Sequence, residues 1–451
     1  MAIELAVVCN SFGLGGTEKA AVTYALHHDR DRVRPRAIAL SEPGVRAREL
    51  EAGGVEVFCA KENLDILAEQ LEGVDVVHVH RAGLPEPTVP LACRMAGVKA
   101  LVETNVFGWV DTSRDEQQFS ARLLISQMCA MRYRERAGLS LNEFNRRCRT
   151  LYYPVDAERL RAGALSRDEA HSLLGLDSSR PTVVRVGRED DRKWGDILVA
   201  MTPHLLRLVP DAQVVFVGTT AYRCSQLRRL GVLDRVYCLP ATSDERRLAA
   251  FYSAADVFAS ASSIGESFGL AIAEAMALGV PVVTSSTPWT DNAQVEVVDN
   301  GVNGWVANHP RVFAEAVADL LGDRVRRDAF GAAAAEKVDA KWYPARLTRE
   351  LERLFEAVLA DGEPPRNWTP GLAEQEAFEL GYPNRASAQF RSLSAREWHE
   401  AKWAVRRERT GWAWRDLRAH PLRGGRMLTT LAIGRIRRRQ PITTAARTTL
   451  D

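Results

Sequence analysis

Gly265-Glu266-Ser267-Phe268-Gly269-Leu270-Ala271-Ile272-Ala273-Glu274-Ala275-Met276-Ala277-Leu278-Gly279-Val280-Pro281-Val282-Val283 places two carboxylates eight residues apart, across a glycine turn and an otherwise apolar helix. A short apolar strand follows. Eight helical residues rise about 12 Å, the span from the sugar to the ribose of a nucleotide diphosphate sugar. The backbone N–H groups at Phe268, Gly269 and Leu270 fall at the helix N-terminus, where unpaired donors and the helix dipole favour an anion. Glu274 stands alone among Ala, Ile and Met, and a carboxylate on such a face needs a polar partner. Spacing alone leaves a second reading open, a surface helix with two solvated glutamates.

Working outward, short apolar runs alternate with helical stretches, as they do in doubly wound parallel sheets. The first series predicts strands at Ile3–Cys9, Arg36–Leu40, Val55–Phe58, Val74–His80 and Ala100–Thr104. The second begins after Tyr152-Tyr153-Pro154-Val155-Asp156 and predicts strands at Thr182–Val186, Gln213–Gly218, Arg235–Leu239, Val257–Ala259 and Val280–Thr284. The fold class is therefore α/β, with two Rossmann-like domains facing across a cleft. Expected boundaries are 1–150 for the first domain, 151–343 for the second, 344–375 for a helix and linker, and 376–451 for a basic extension.

Bulk properties are permissive. The 451 residues carry a net charge of +2, which hides an asymmetry. Residues 385–451 hold 16 Lys/Arg against 5 Asp/Glu, about +11, leaving about −9 for the rest. Seven scattered cysteines form no C-x-x-C pair, and their odd count argues against a disulfide framework and for a reducing, cytoplasmic setting. Ala2 to Cys9 reads as a strand rather than a secretory leader. No run of 18 apolar residues predicts a membrane span.

Asn10-Ser11-Phe12-Gly13-Leu14-Gly15-Gly16-Thr17-Glu18-Lys19 follows the first strand and opens a helix. Glycines there let the backbone approach a phosphate and aim helix N–H groups at it. A tight turn capped by Thr17 is the plainer alternative, and the absence of a following Gly-Lys-Ser/Thr excludes a P-loop. His78 and His80 share one face of a strand, without acidic or Cys partners at metal spacing.

The Gly265–Val283 stretch resembles the E-x7-E signature of retaining GT-B glycosyltransferases of the large family 4 group. Phe251-Tyr252-Ser253-Ala254-Ala255-Asp256-Val257-Phe258 upstream and Asn300-Gly301-Val302-Asn303-Gly304-Trp305-Val306 downstream extend the likeness, which covers roughly residues 1–360. The resemblance implies a retaining transfer of a sugar from a nucleotide diphosphate sugar, with a UDP- or GDP-sugar as donor and no further cofactor. Glu266 would hold the transferred sugar and Glu274 the ribose. Arg188 and Lys193 would take the diphosphate, helped by the backbone at Phe268, Gly269 and Leu270, with Gly15 and Gly16 closing from the first domain. Such cations stabilise the charge that grows on a leaving diphosphate. His80 would line the sugar and acceptor site. No divalent ion is required, and Glu189, Asp190 and Asp191 read as ion-paired or solvated residues. One departure stands out: Asn105 occupies a place where many family members have a histidine, which keeps hydrogen bonding and gives up acid–base chemistry.

The acceptor is not specified by any motif; a glycan, a lipid-linked saccharide and a small molecule all remain open. In the extension, Trp398, Trp403, Trp412 and Trp414 are interleaved with Arg396, Lys402, Arg406, Arg407, Arg409, Arg415 and Arg418, and Arg435-Ile436-Arg437-Arg438-Arg439 follows the apolar stretch Met427–Ile433. That composition suits an anionic membrane surface, helices packed on the first domain, or, less readily, nucleic acid. A binding protein that keeps the fold without transfer, acting as an adaptor through this tail, is the competing function.

Overall fold

The computed structural model describes residues 2–419, with side chains through residue 407. Met427–Ile433, Arg435–Arg439 and the side chains of Arg409, Trp412, Trp414, Arg415 and Arg418 lie outside the described residues. Of the described residues, 2–392 form one unit and 393–419 belong to a second.

The first unit holds two all-parallel sheets. β1 (Ile3–Ser11), β2 (Val33–Glu42), β3 (Glu56–Cys59), β4 (Val76–Arg81), β5 (Ala100–Asn105), β6 (Phe119–Leu124) and β7 (Cys148–Thr150) run in the order β3-β2-β1-β4-β5-β6-β7. β8 (Thr182–Arg185), β9 (Gln213–Val217), β10 (Val236–Leu239), β11 (Val257–Ser260), β12 (Val282–Thr284) and β13 (Gly304–Val306) run β10-β9-β8-β11-β12-β13. Both are doubly wound, Rossmann-like orders. In each, the chain leaves the central strand in one direction and later returns to its other side. Ligands bind at that reversal, beyond the carboxyl ends of the strands. The reversals lie between β1 and β4 and between β8 and β11, so the loops after β1, β8 and β11 are placed to build a site.

Valines and alanines dominate the central strands because helices cover both faces of a parallel sheet. Val7, Val76, Val184, Val215, Val257 and Val282 are fully buried. β6 and β7 escape a hydropathy reading because buried arginines interrupt them. Arg122 in β6, 2% exposed, sits 3.3 Å from Glu103 and 2.6 Å from Glu116, while Arg81 reaches Glu103 at 2.9 Å. Arg149 in β7 donates to the carbonyls of Cys148 and Pro365, and burial pushes its guanidinium down to about 10.

Helix Pro344–Asp361 crosses back onto the first domain. There Glu352 accepts from the Asp29 backbone at 2.9 Å and pairs with His28 at 3.1 Å. Helix Leu372–Ser387 runs straight through the boundary expected at 375–376 and packs on helix Gln127–Ala137, with Arg134 on Glu379 and Gln375 on the Gln127 carbonyl. In the second unit, helix Ala395–Ala419 exposes Trp398 and Trp403, each more than half accessible. Lys402 lies over the Trp398 ring at 4.6 Å and Arg406 over Trp403 at 5.8 Å. Among the described residues, no helix is long and apolar enough to cross a membrane.

Candidate functional site

The loops after β1, β8 and β11 line one cavity of about 400 Å³ between the two sheets. Gly15, Gly16, Arg188, Lys193, Glu266, Phe268, Gly269, Leu270 and Glu274 all line it. The structure thus brings together nine of the ten residues singled out in the sequence. The tenth, His80, is not among the lining residues.

After β1 the chain turns through Gly15 into helix Gly16–His27 without a side-chain cap. Thr17, the expected cap, accepts instead from the Tyr153 hydroxyl at 3.1 Å. A Cβ built on Gly16 would stand 3.7 Å from that of Leu270. The glycine loop of the first domain therefore lies directly against the helix start of the second.

After β8, a short 3-10 turn at Asp191–Lys193 carries the basic residues, with Asp190 accepting from the Arg192 backbone at 2.9 Å. Burial opposes the charge on Asp190, but hydrogen bonds from Arg192 outweigh it and hold the carboxyl below its ordinary range. Arg185 sets the position of Lys193. Its guanidinium stacks 3.9 Å from the Trp194 ring and donates to the carbonyls of Lys193 (2.8 Å) and Val217 (2.6 Å). Burial pushes Arg185 down to about 9, with Glu266 pulling the other way. Lys193 Nζ reaches Glu266 Oε2 at 2.8 Å. Arg188 makes no hydrogen bond or close ion pair among the described residues, and it is exposed to the cavity it lines. Glu189 accepts from Ala241 N, Asp190 from Arg192 and Asp191 from the Thr220 hydroxyl. Three carboxylates in a row thus serve three separate partners. Among the described residues, no three His, Cys, Asp or Glu side chains gather in a way that could hold a metal ion.

After β11 the chain is threaded through a narrow passage. Gly265 has φ +68°, and a Cβ there would lie 1.6 Å from the Asp291 carbonyl oxygen, so only glycine fits. Glu266 is fixed through its backbone, N–H to Gln294 Oε1 at 3.0 Å and carbonyl to Ala293 N at 2.7 Å. Gly269, at φ +101°, is the N-cap, and the helix runs Leu270–Ala277. It begins two residues later than expected from Phe268. The stretch between the two glutamates is thus half turn and half helix.

Glu274 is 7% exposed and has the polar partners its apolar surroundings require. Tyr252 donates its hydroxyl to Oε2 at 2.7 Å, and the Lys19 ammonium pairs with Oε1 from the first domain. Neither partner is legible from spacing, since Lys19 is 255 residues away in the chain. Asp291 is a further lining residue missed in the sequence. Burial raises its carboxyl; Ser267 donates to it at 2.5 Å and Arg132 of the first domain pairs at 2.8 Å.

His78 and His80 do share a face, and that face turns into the protein. Their ring centroids are 4.4 Å apart, and Phe355 of the crossover helix packs 5.7 Å from His78. Burial pushes His80 down to about 3 and holds His78 well below the ordinary imidazole value. His80, expected at the sugar and acceptor site, is buried and is not among the cavity-lining residues, and Phe355 of helix Pro344–Asp361 packs on His78, its neighbour on the same face. Asn105 likewise spends both ends of its amide on its own loop, donating to the Trp109 carbonyl at 2.8 Å and accepting from Gly108 N at 2.9 Å.

Residues 180–323 match the family described as glycosyl transferases group 1. Among curated relatives, a GDP-mannose-dependent alpha-(1-6)-phosphatidylinositol monomannoside mannosyltransferase of Mycobacterium tuberculosis is 36% identical over 200 residues, covering 42% of this chain and 50% of the relative. A D-inositol 3-phosphate glycosyltransferase of Xylanimonas cellulosilytica is 36% identical over 185 residues, covering 39% of this chain and 42% of the relative. The chain spans about half the length of the curated relatives it matches. Among solved structures, a glycosyltransferase from Rickettsia africae superposes with a TM-score of 0.66 at 16% identity, over 80% of this chain and 99% of that one. HepE of Anabaena, in complex with UDP, gives 0.64 at 18% identity, over 79% of this chain and 100% of that one. At these identities the likeness is one of fold, and that fold is GT-B.

Proposed function

We propose, from the membership of residues 180–323 in the group 1 glycosyl transferase family, that this protein transfers a sugar from a nucleotide diphosphate sugar to an acceptor, with retention of configuration. The observation that carries the reading is the convergence of Glu266, Glu274, Arg188, Lys193 and the N-terminus of helix Leu270–Ala277 on one cavity at the two sheet reversals. In this reading Glu266 binds hydroxyls of the transferred sugar and Glu274 the ribose. Arg188, Lys193 and the backbone N–H groups at Gly269 and Leu270 hold the diphosphate, and the Gly15-Gly16 loop closes over it. Those donors gain strength as the leaving group gains charge, which is what lowers a barrier rather than merely tightening binding. If the acceptor enters on the leaving-group face, a phosphate oxygen takes its proton and no protein base is needed.

The donor is a UDP- or GDP-sugar in this reading. HepE binds UDP, and the mycobacterial relative is GDP-mannose-dependent. An acceptor in cell-surface glycan, glycolipid or secondary-metabolite glycosylation fits, with the basic Trp-bearing extension bringing the enzyme to the cytoplasmic face of an anionic membrane. The test is a thermal-shift screen of nucleotides and nucleotide sugars, since a ligand that binds only the folded state raises the melting temperature. It is followed by a transfer assay with the best donor. A melting temperature unmoved by any nucleoside diphosphate would refute the reading.

A further inference from the structure

Both carboxylate oxygens of Glu274 have protein partners. Tyr252 holds one carboxylate oxygen at 2.7 Å, and Lys19, reaching across from the first domain, holds the other. Lys19 lies one helical turn beyond Gly16, whose Cα faces Leu270 across the domain boundary. Leu270 and Glu274 are four residues apart on one helix, about 6 Å along its axis. The Lys19 ammonium is held at the carboxylate assigned to the ribose, on a helix whose first residue, Gly16, lies against Leu270 at the N-terminus assigned to the diphosphate. Its side chain keeps 30% of its exposure and lines the cavity, so it has room to move.

Resting on the function proposed above, we infer that Lys19 is a donor-responsive positioning residue that exchanges Glu274 for the diphosphate when a nucleotide binds. On Glu274, Lys19 neutralises a buried carboxylate that would otherwise be costly, and it ties the two domains together. A ribose hydroxyl competes for the same oxygen. A diphosphate offers the ammonium a stronger anion within reach of its flexible stem, and a lysine, unlike an arginine fork, is a point charge that can turn from one to the other. The ribose then takes Glu274, and a third cation from the opposite domain joins Arg188 and Lys193 on the phosphates. Closure of the cleft would thereby depend on the phosphates rather than on the base or the sugar.

This exchange predicts effects of opposite sign. In Lys19→Met the ribose no longer competes with an ammonium, so affinity for the bare nucleoside rises. The diphosphate loses a cation, so affinity for the nucleoside diphosphate falls. Each change should be on the order of two- to fivefold, the range of a partly exposed ion pair. Calorimetry on the full chain would use uridine and UDP, or guanosine and GDP if those are the nucleotides that stabilise it. Lys19→Arg, whose fork holds Glu274 but turns less readily to the phosphates, should bind the nucleoside as the wild type does and the diphosphate more weakly; it stands in if Lys19→Met does not fold, and an equal loss of both affinities, or no change in either, would overturn the proposal. Loss of affinity for both ligands in Lys19→Met marks Lys19 as merely structural and overturns the exchange, as does no change in either. If the wild type binds no nucleoside diphosphate, the functional reading itself fails and takes the exchange with it.

Discussion

Lowering the pH from 7 to 5 should weaken the first Rossmann-like domain, and His80 allows the loss to be sized. Its ring is 5% exposed, and neither ring nitrogen has a hydrogen-bond partner among the described residues. Burial carries it from 6.5 to about 3. Because the folded value is depressed, the unfolded chain binds the proton first as the pH falls. The stability His80 contributes is whole above 6.5 and declines steadily toward 3. Each pH unit in that window is worth about 1.4 kcal/mol, so at pH 5 His80 alone withdraws about 2 kcal/mol. His80→Leu removes the titration and leaves no orphaned partner, since the ring had none. Urea unfolding of both proteins at pH 7 and pH 5 isolates the effect, because every other titrating group is common to the two. The pH-dependent loss should be smaller in the variant by about 2 kcal/mol. Equal losses would refute the burial argument. The same variant tests the placement of His80 away from the cleft: turnover at pH 7 should survive the substitution, and its collapse in a folded variant would return His80 to the sugar site.

Glu274→Ala should cost donor affinity about 1.5–3 kcal/mol, the worth of a hydrogen bond to a charged group, and unchanged affinity in calorimetry with intact folding would remove Glu274 from the site. Arg188→Ala and Lys193→Ala should lower turnover more than donor binding, and a donor with a better leaving group should partly rescue both; wild-type turnover in either would count against that residue's assignment to the diphosphate. Removing residues 393–451 should leave nucleotide binding intact and abolish co-sedimentation with anionic liposomes, where each cation near the surface contributes about 1 kcal/mol. Equal sedimentation of the full and shortened chains would end the membrane reading.

The second domain was the more legible of the two, for physical reasons. Strands β8 and β9 are valine runs that lead into glycine, and Gly265, Gly269 and Gly279 each adopt the positive φ that a turn between helix and strand requires. The first domain hides two of its seven strands. Arg122 in β6 and Arg149 in β7 look like surface residues until Glu103, Glu116 and backbone carbonyls are seen to pay for their burial. The site divides in the same way. Residues that act through backbone and spacing, such as Gly15, Gly269 and Glu266, can be read locally. Lys19 on Glu274 and Arg132 on Asp291 join chain segments 255 and 159 residues apart, and no periodicity reports them. His80 shows the converse. Alternation fixed its face correctly, while the element covering that face, helix Pro344–Asp361, comes from the far end of the fold.

Under the proposed function, the paired charges of the cleft bear on where a donor's phosphates would sit. Lys193 is matched by Glu266, Lys19 by Glu274 and Arg132 by Asp291. With Asp190 matched by Arg192, each of the four carboxylates that line the cavity has a cation beside it, which limits their mutual repulsion. Arg188 makes no close ion pair among the described residues, although its charge acts on Asp190, and it lines the cavity together with the start of helix Leu270–Ala277 and its backbone N–H groups. Both are positive, and the helix start is a ready anion site. A diphosphate entering between them meets attraction before it must break any pair. Once there, it competes for Lys193 and Lys19, and each lysine that turns to phosphate frees a carboxylate for a sugar or ribose hydroxyl. Phosphate binding and hydroxyl binding are then linked through the same two ion pairs. A donor that lacks either half should lose more affinity than that half's own contacts would supply.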